Sequence, residues 1–228
     1  MPLLHPAPTT RHCEAEGLVI LLDLRNGRYT TLNRAASAMW RGLLESDDRA
    51  ALEAALAARL GAPAERVAAD LEAFARSSVA DGLLCERPPQ TPPPPVRPRA
   101  GRPRAAAAWT ALLATTRSLA RHGFAPTYTR YARLPRPPRD ESWQRRLEAA
   151  ERAFARAELA FVIRSAPKDC LPRSLALWRF LVASGVPAEH HIGVTRYPFG
   201  AHAWVEAGGE VLFDSRERVA DYASIAVL

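Results

Sequence analysis

The chain has 228 residues, 48% hydrophobic and 24% charged, with a formal net charge of +7; this balance suits one large or two small globular domains. No apolar run reaches the roughly 18 residues of a membrane span, and the opening Met-Pro-Leu-Leu-His-Pro lacks the charged-then-apolar order of a secretory signal, so a cytoplasmic protein with no membrane partner is expected. The charge does not point to nucleic acid: of 31 basic residues only Lys168 is a lysine, and Arg97, Arg99, Arg102 and Arg104 crowd one proline-rich stretch that reads as a solvated linker.

Gly17 to Leu24 is a near-continuous apolar strand. Arg25-Asn26-Gly27-Arg28 follows, and Asn-Gly is a strong hairpin signal because both residues tolerate positive φ. The return strand Tyr29-Thr30-Thr31-Leu32 is aromatic and β-branched. Asn33 then caps a helix whose Ala36, Met39, Trp40 and Leu43 recur at helical spacing. A second helix spans Asp47 to Leu60 and is closed by Gly61; a third runs from Pro63 to about Asp81 with Val67, Leu71, Phe74 and Ser78 on one face.

A small antiparallel sheet followed by three helices is a winged-helix-like arrangement, which raises DNA binding. Charge argues against it. The third helix would be the reader, and it carries Glu65, Asp70, Glu72 and Asp81 against only Arg66 and Arg76, whereas a helix facing phosphates should be basic. A strand edge beside a helix instead offers a groove where an extended peptide adds as another strand. A purely structural hairpin is the alternative.

The run Val-Ile-Leu-Leu-Asp-Leu-Arg-Asn-Gly-Arg-Tyr-Thr-Thr-Leu-Asn-Arg-Ala-Ala-Ser-Ala-Met-Trp resembles the PqqD-like recognition element of pathways that modify ribosomally made peptides. The resemblance covers residues 12–86. It implies that a leader peptide pairs with the last strand of the small sheet and packs against the third helix. The implicated residues are Tyr29, Thr30, Thr31 and Leu32 on the strand and Val67, Leu71 and Phe74 on the helix, some of which must face the core instead.

Residues 87–104 hold runs of proline interleaved with arginine. Proline lacks the amide donor and locks φ, so an extended spacer is expected. The chain accordingly divides into a recognition module (1–86), a linker (87–104) and a second domain (105–228). A tether of this kind turns the second of two encounters with one substrate into an intramolecular event.

The second domain opens with helical patterns from Ala105 to Ala120 and from Trp143 to Ile163. Next comes Lys168-Asp169-Cys170-Leu171-Pro172-Arg173-Ser174-Leu175. Asp169 is the expected N-cap, proline is tolerated only in a first turn, and Gly185 with Pro187 ends the helix. Cys170 thereby sits where backbone donors and the helix dipole favour a thiolate. Three strands follow, His190 to Arg196, Ala201 to Ala207 and Glu210 to Phe213, with a tight turn at Gly208-Gly209. Antiparallel pairing of the last two brings Asp214 near His202. A thiol, an imidazole and a carboxylate in that order are the parts of a nucleophile, a base and an orienting group.

The three cysteines, Cys13, Cys85 and Cys170, are odd in number, far apart and without Cys-x-x-Cys spacing, so neither a disulfide framework nor a zinc knuckle is expected. Cys85 reads as a small buried hydrophobe and Cys13 has no chemical neighbours. Adjacent His190 and His191 face opposite sides of a strand, so at most one of them could join His202 on a metal. No metal is assigned.

Cys-Leu-Pro-Arg-Ser-Leu-Ala-Leu, Gly-Val-Pro-Ala-Glu-His-His-Ile-Gly-Val, Phe-Gly-Ala-His-Ala-Trp-Val-Glu and Leu-Phe-Asp-Ser together resemble the leader peptidase domain of lasso peptide biosynthesis B proteins. The resemblance spans about 105–228. It implies an α+β chain in which the winged-helix-like module precedes a transglutaminase-like, papain-related cysteine peptidase domain. Cys170, His202 and Asp214 take the triad positions. The implied substrate is the leader region of a lasso precursor, and the implied partner is an asparagine-synthetase-like cyclase that receives the freed core amine. No cofactor is assigned to this chain: it has no phosphate-binding glycine loop, and any ATP requirement falls to the cyclase. An acyltransferase using the same triad and a non-catalytic leader-binding adaptor are the competing expectations.

Overall fold

The computed structural model describes residues 3–88, 101–162 and 170–228, which fall into two compact units, one within Met1–Pro92 and one within Pro93–Leu228. The expected extended spacer lies largely on residues 89–100, and the Asp169 cap and Ile163 helix end lie on residues 163–169; all of these are outside the described residues.

The first unit comprises β1 (His5–Pro6), β2 (Thr10–Ala15), β3 (Leu18–Asp23), β4 (Arg28–Thr31), α1 (Arg34–Glu45), α2 (Arg49–Leu60), α3 (Ala64–Ala80) and β5 (Leu84–Cys85). The hairpin is antiparallel and in the order β2-β3-β4, so the sheet has one strand more than the sequence pattern suggests. That extra strand, β2, alternates exposed and half-covered residues and places polar His12 and Glu14 at the exposed positions, which hides it from a search for apolar runs. The short β1 and β5 pair His5 with Cys85 and tie the two ends of the unit together.

The β3–β4 turn differs from the expected two-residue type. Asp23 pairs with Arg28, leaving a four-residue loop in which Gly27 takes φ of 70° and Asn26 does not have a positive φ. The cause is the Asp23 carboxylate, which accepts from the Arg25 N–H at 2.9 Å and from Asn26 Nδ2 at 2.9 Å. An organised acid at the loop entrance therefore outweighs the intrinsic preference of Asn-Gly. The helices follow the sequence closely. Asn33 caps α1 through a bond from the Ala36 N–H, Asp48 caps α2 through Ala51, and Gly61 ends α2 in the left-handed conformation. Val19, Leu21, Trp40, Leu43, Val67 and Leu71 form the heart of the apolar core. Buried Ser37 stitches sheet to helix, accepting from the Val19 N–H at 2.9 Å and donating to the Leu32 carbonyl.

The second unit comprises α4 (Ala105–His122), α5 (Phe124–Ala132), α6 (Trp143–Val162), α7 (Cys170–Ala183), β6 (Glu189–Thr195), β7 (Gly200–Ala207), β8 (Glu210–Leu212), α8 (Arg216–Ala220) and β9 (Ala223–Val227). Its sheet is antiparallel in the order β8-β7-β6-β9. Helix α7 packs on α4 and α6 on one side and on β7 on the other. Burial from Ser174 to Trp178 without a break follows from that central place. Trp178 is fully buried with its indole N–H on the Ala188 carbonyl at 3.0 Å, and Phe154 of α6 completes the packing. Among the described residues no helix is long and apolar enough to cross a membrane.

Strand β6 also anchors His190, which is wholly buried. Its Nε2 meets Ser174 Oγ at 3.0 Å and its ring stands edge-on to Tyr128. Burial first, and the neighbouring His191 second, pull its pKa from 6.5 down to about 3. Between those values the unfolded chain binds a proton that the folded chain refuses, so this contribution to stability is fully present above 6.5 and lost as pH falls toward 3. We expect denaturant unfolding of the full chain on either side of pH 6.5 to show this decline, and His190→Gln to flatten it.

Candidate functional site

Cys170 is the first residue of α7. The first-turn N–H groups of a helix have no partner within it, and the aligned peptide dipoles leave partial positive charge there. A sulfur at this position therefore lies beside backbone donors. Cys170, His202 and Asp214 line one cavity of about 420 Å³.

The imidazole and the carboxylate are brought together by strand register. Gly208 and Gly209, with φ of 65° and 85°, form a two-residue turn. Ala207 consequently pairs with Glu210 and Val205 with Leu212. Strand β8 stops there. Phe213 takes φ of 57°, uncommon for a bulky side chain, and the chain leaves the ladder. His202 Nε2 then lies 2.6 Å from Asp214 Oδ2, a short, charge-assisted contact. With Nε2 held by the carboxylate, Nδ1 is the ring nitrogen placed to exchange a proton elsewhere.

Asp214 balances opposing influences. Partial burial pushes its carboxyl up, but the bond from His202, the Ser215 N–H at 2.9 Å and the Arg218 guanidinium at 3.6 Å outweigh it. The net result lies below the usual carboxylate range, so the group is an anion near neutrality.

Aromatic rings surround the imidazole. Trp204 lies 6.1 Å from His202 at 18°, Tyr222 lies 5.3 Å away, and His191 stacks on the other reach of Trp204 at 5.2 Å. The indole N–H donates to Glu206 at 2.8 Å. Gly193, paired with His202, makes this possible: a Cβ there would stand 2.7 Å from the Trp204 ring and 2.8 Å from Tyr222. On the opposite wall, Arg173 of α7 pairs with Glu158 of α6 and donates to the Phe213 carbonyl at 2.9 Å.

The two histidines weighed as metal ligands diverge. His190 points inward to Ser174 and His191 lies on the Trp204 face. Neither lines the cavity with Cys170, and among the described residues no three His, Cys, Asp or Glu side chains are gathered in one group.

Among the described residues of the first unit, β4 is an edge strand, paired only with β3. The Leu32 N–H reaches the Val19 carbonyl at 2.9 Å, so alternation along an antiparallel ladder turns the amides of Tyr29 and Thr31 toward the sheet edge. Thr30 and Thr31 are exposed and Tyr29 half-buried. Leu32 is buried with the core. The helix residues split: Val67 and Leu71 are 2% and 0% exposed and belong to the core, whereas Phe74 is partly buried at its border. Val67 and Leu71 are therefore corrected from peptide-contact candidates to core residues, because the α3 face that follows helical spacing is the one turned toward α1 and α2. Leu32 is corrected likewise.

Tyr222, Glu158 and the role of Arg173 are not evident from sequence. Arg173 carries one usable signal, its place one turn after Cys170.

The other thiols are placed differently. Burial and the adjacent Glu14 push the Cys13 thiol up to about 11. Cys85 is half-buried rather than fully buried as its apolar neighbours suggest, because β5 is a short edge strand whose thiol donates to the Arg87 carbonyl at 3.1 Å. A thiol at about 11 is ionised in roughly one molecule in 10⁴ at neutral pH. We expect a haloacetamide to label Cys170 first and Cys13 last, read by peptide mass spectrometry; Cys13 labelling ahead of Cys170 would contradict this ordering.

The model of the transglutaminase-like superfamily matches residues 109–227, and that of coenzyme PQQ synthesis protein D (PqqD) matches residues 19–84. Over 47 residues the chain is 47% identical to the microcin J25-processing protein McjB of Escherichia coli. That match takes in 21% of this chain and 23% of the relative, so the chain spans under a quarter of that relative's length. A solved structure, TbiB1 in complex with the TbiA(beta) leader peptide, is 24% identical, with 37% of this chain and 98% of that chain covered and a TM-score of 0.33. With over half its length matched, the chain belongs to the transglutaminase-like superfamily, and a PqqD-type module precedes that domain.

Proposed function

We propose that this protein binds the leader of a lasso precursor peptide through its first unit and cuts between leader and core with Cys170, His202 and Asp214. The observation that carries the reading is the lining of one cavity by all three residues, with the imidazole 2.6 Å from the carboxylate. The likeness to a protein named for processing a microcin adds support for peptide cleavage, and the PqqD match supports the leader role of the first unit.

His202 takes the proton of the Cys170 thiol on Nδ1, and the sulfur attacks the scissile carbonyl. The backbone N–H of Cys170, at the start of α7, donates to the developing oxyanion. On collapse the C–N bond breaks, His202 returns the proton to the leaving amine, and the leader stays on sulfur as a thioester. Water, deprotonated by His202, then releases the leader acid and the free thiol. Asp214 holds Nε2 and stabilises the imidazolium in both halves. The freed amine of the core is the product handed to a partner cyclase. The mechanism draws only on protein groups and water.

A second reading has a specific basis in the superfamily match. A transglutaminase-like acyltransferase would form the same thioester and pass the acyl group to an amine. Incubating chain, precursor and a small amine separates the two: hydrolysis alone favours the peptidase, and an amide product favours the transferase.

Two sets of variants test the proposal. With purified chain and precursor, Cys170→Ala and His202→Ala should lower cleavage by about 10³-fold or more and Asp214→Asn by roughly 10² to 10⁴-fold, measured by mass spectrometry; persistent cleavage in Cys170→Ala sinks the assignment. For recognition, Thr31→Pro removes an edge-facing amide and Phe74→Ala a border contact. Each should weaken leader binding about tenfold, worth roughly 1.4 kcal/mol, while cleavage of a short leader-free peptide stays the same. Leader affinity that matches the parent chain, with the fold intact, removes that role from the first unit.

A further inference from the structure

We propose that Arg173 is a positioning residue that locks the Asp214 loop to the nucleophile helix, acting through the backbone carbonyl of Phe213. The reaction it serves is the one proposed above; the geometry it controls is independent of that reading.

One guanidinium joins three elements. Arg173 stands on α7, one turn after Cys170. Its Nε and Nη2 engage both oxygens of Glu158 on α6, the latter at 3.0 Å. Its Nη1 donates to the Phe213 carbonyl at 2.9 Å, the peptide unit that leads directly into Asp214. The same guanidinium covers the Phe213 ring at 5.8 Å, and Phe154 meets that ring edge-on at 5.3 Å from another side.

Phe213 needs such restraint. Its φ of 57° is a conformation that persists in a bulky residue only where the surroundings impose it. The constraints on it are a ring packed between Phe154 and Arg173 and a carbonyl held by Arg173. Arg218 touches Asp214 more directly, at 3.6 Å, but its side chain is 65% exposed, so solvent weakens its hold. Arg173 is 33% exposed and paired on both edges of its fork.

The fork geometry explains why arginine stands here. Three N–H groups in one plane satisfy a carboxylate and a carbonyl at once, whereas a lysine ammonium offers no such fixed pattern. Those edges are also already engaged, which argues against Arg173 as a group that binds substrate. Without it, Glu158 and the Phe213 carbonyl lose a shared partner, and the loop has less reason to hold Asp214 against His202.

The test uses the full chain and precursor. Arg173→Lys and Arg173→Ala should lower kcat by about one to two orders of magnitude, as a misplacement near 1 Å does, with KM within about threefold of the parent. Added guanidinium ion should restore part of the activity of Arg173→Ala and none of that of Asp214→Asn. If Arg173→Ala fails to fold, Arg173→Lys decides alone. A raised KM with kcat intact would make Arg173 a substrate contact and overturn the proposal, as would an unchanged kcat. The downfield proton resonance of the His202–Asp214 bond, read without substrate, separates the two levels. Its loss in Arg173→Lys supports positioning even if Cys170→Ala still cleaves and the peptidase reading falls. Its persistence unchanged in Arg173→Lys overturns the positioning role whatever the reaction is.

Discussion

The cavity of the second unit depends on one strand register. Gly208 and Gly209 both take positive φ, the backbone that a two-residue hairpin demands. Gly208 is constrained twice, since a Cβ there would stand 2.6 Å from the Trp143 ring. A slip of one residue in this pairing would exchange the two faces of β8 and carry Asp214 away from His202. The 2.6 Å contact is thus a consequence of turn chemistry five to seven residues away from its partners, not of any attraction between the side chains alone.

The two electrostatic requirements of the site are met by different means. For the sulfur, the open first turn of α7 supplies backbone donors. For the carboxylate, the support is a set of discrete partners that overcome the cost of partial burial. In the first unit the corresponding resource is again backbone, since β4 turns alternate amides toward the sheet edge. In the proposed function, both units therefore meet a peptide with main-chain groups, which tolerate variation in the side chains they receive.

Much of this was legible before the coordinates. The helices α1, α2, α3, α4, α6 and α7 follow from apolar spacing and caps, with Asn33 and Gly61 in the expected roles. The juxtaposition of His202 and Asp214 followed from counting residues through a glycine pair. What escaped did so for physical reasons. Strand β2 holds Thr, Arg, His and Glu among its six residues, and β9 has only five, two of them alanine, so their periodicity is weak beside the runs that flank them. The Asp23 carboxylate reorganised a turn that dipeptide preference had made a two-residue one. Helix α3 has apolar residues on a face wide enough to serve core or groove, and only packing assigns Val67 and Leu71 to the core. Arg173, Glu158 and Tyr222 act across elements distant in sequence, where no local pattern records the contact.

Helix α7 is enclosed by α4 and α6 on one side and β7 on the other. A rod held in that way has no soft direction: bending or sliding it would disturb packing that is as dense as a molecular crystal. The sulfur at its tip is in effect bolted to the rigid frame of the unit. Adjustment to admit and release a chain segment is easier beyond the held Asp214, along α8, where none of the helical residues is buried. The site is an anvil with one movable jaw, and mutations that loosen it should be sought on the jaw.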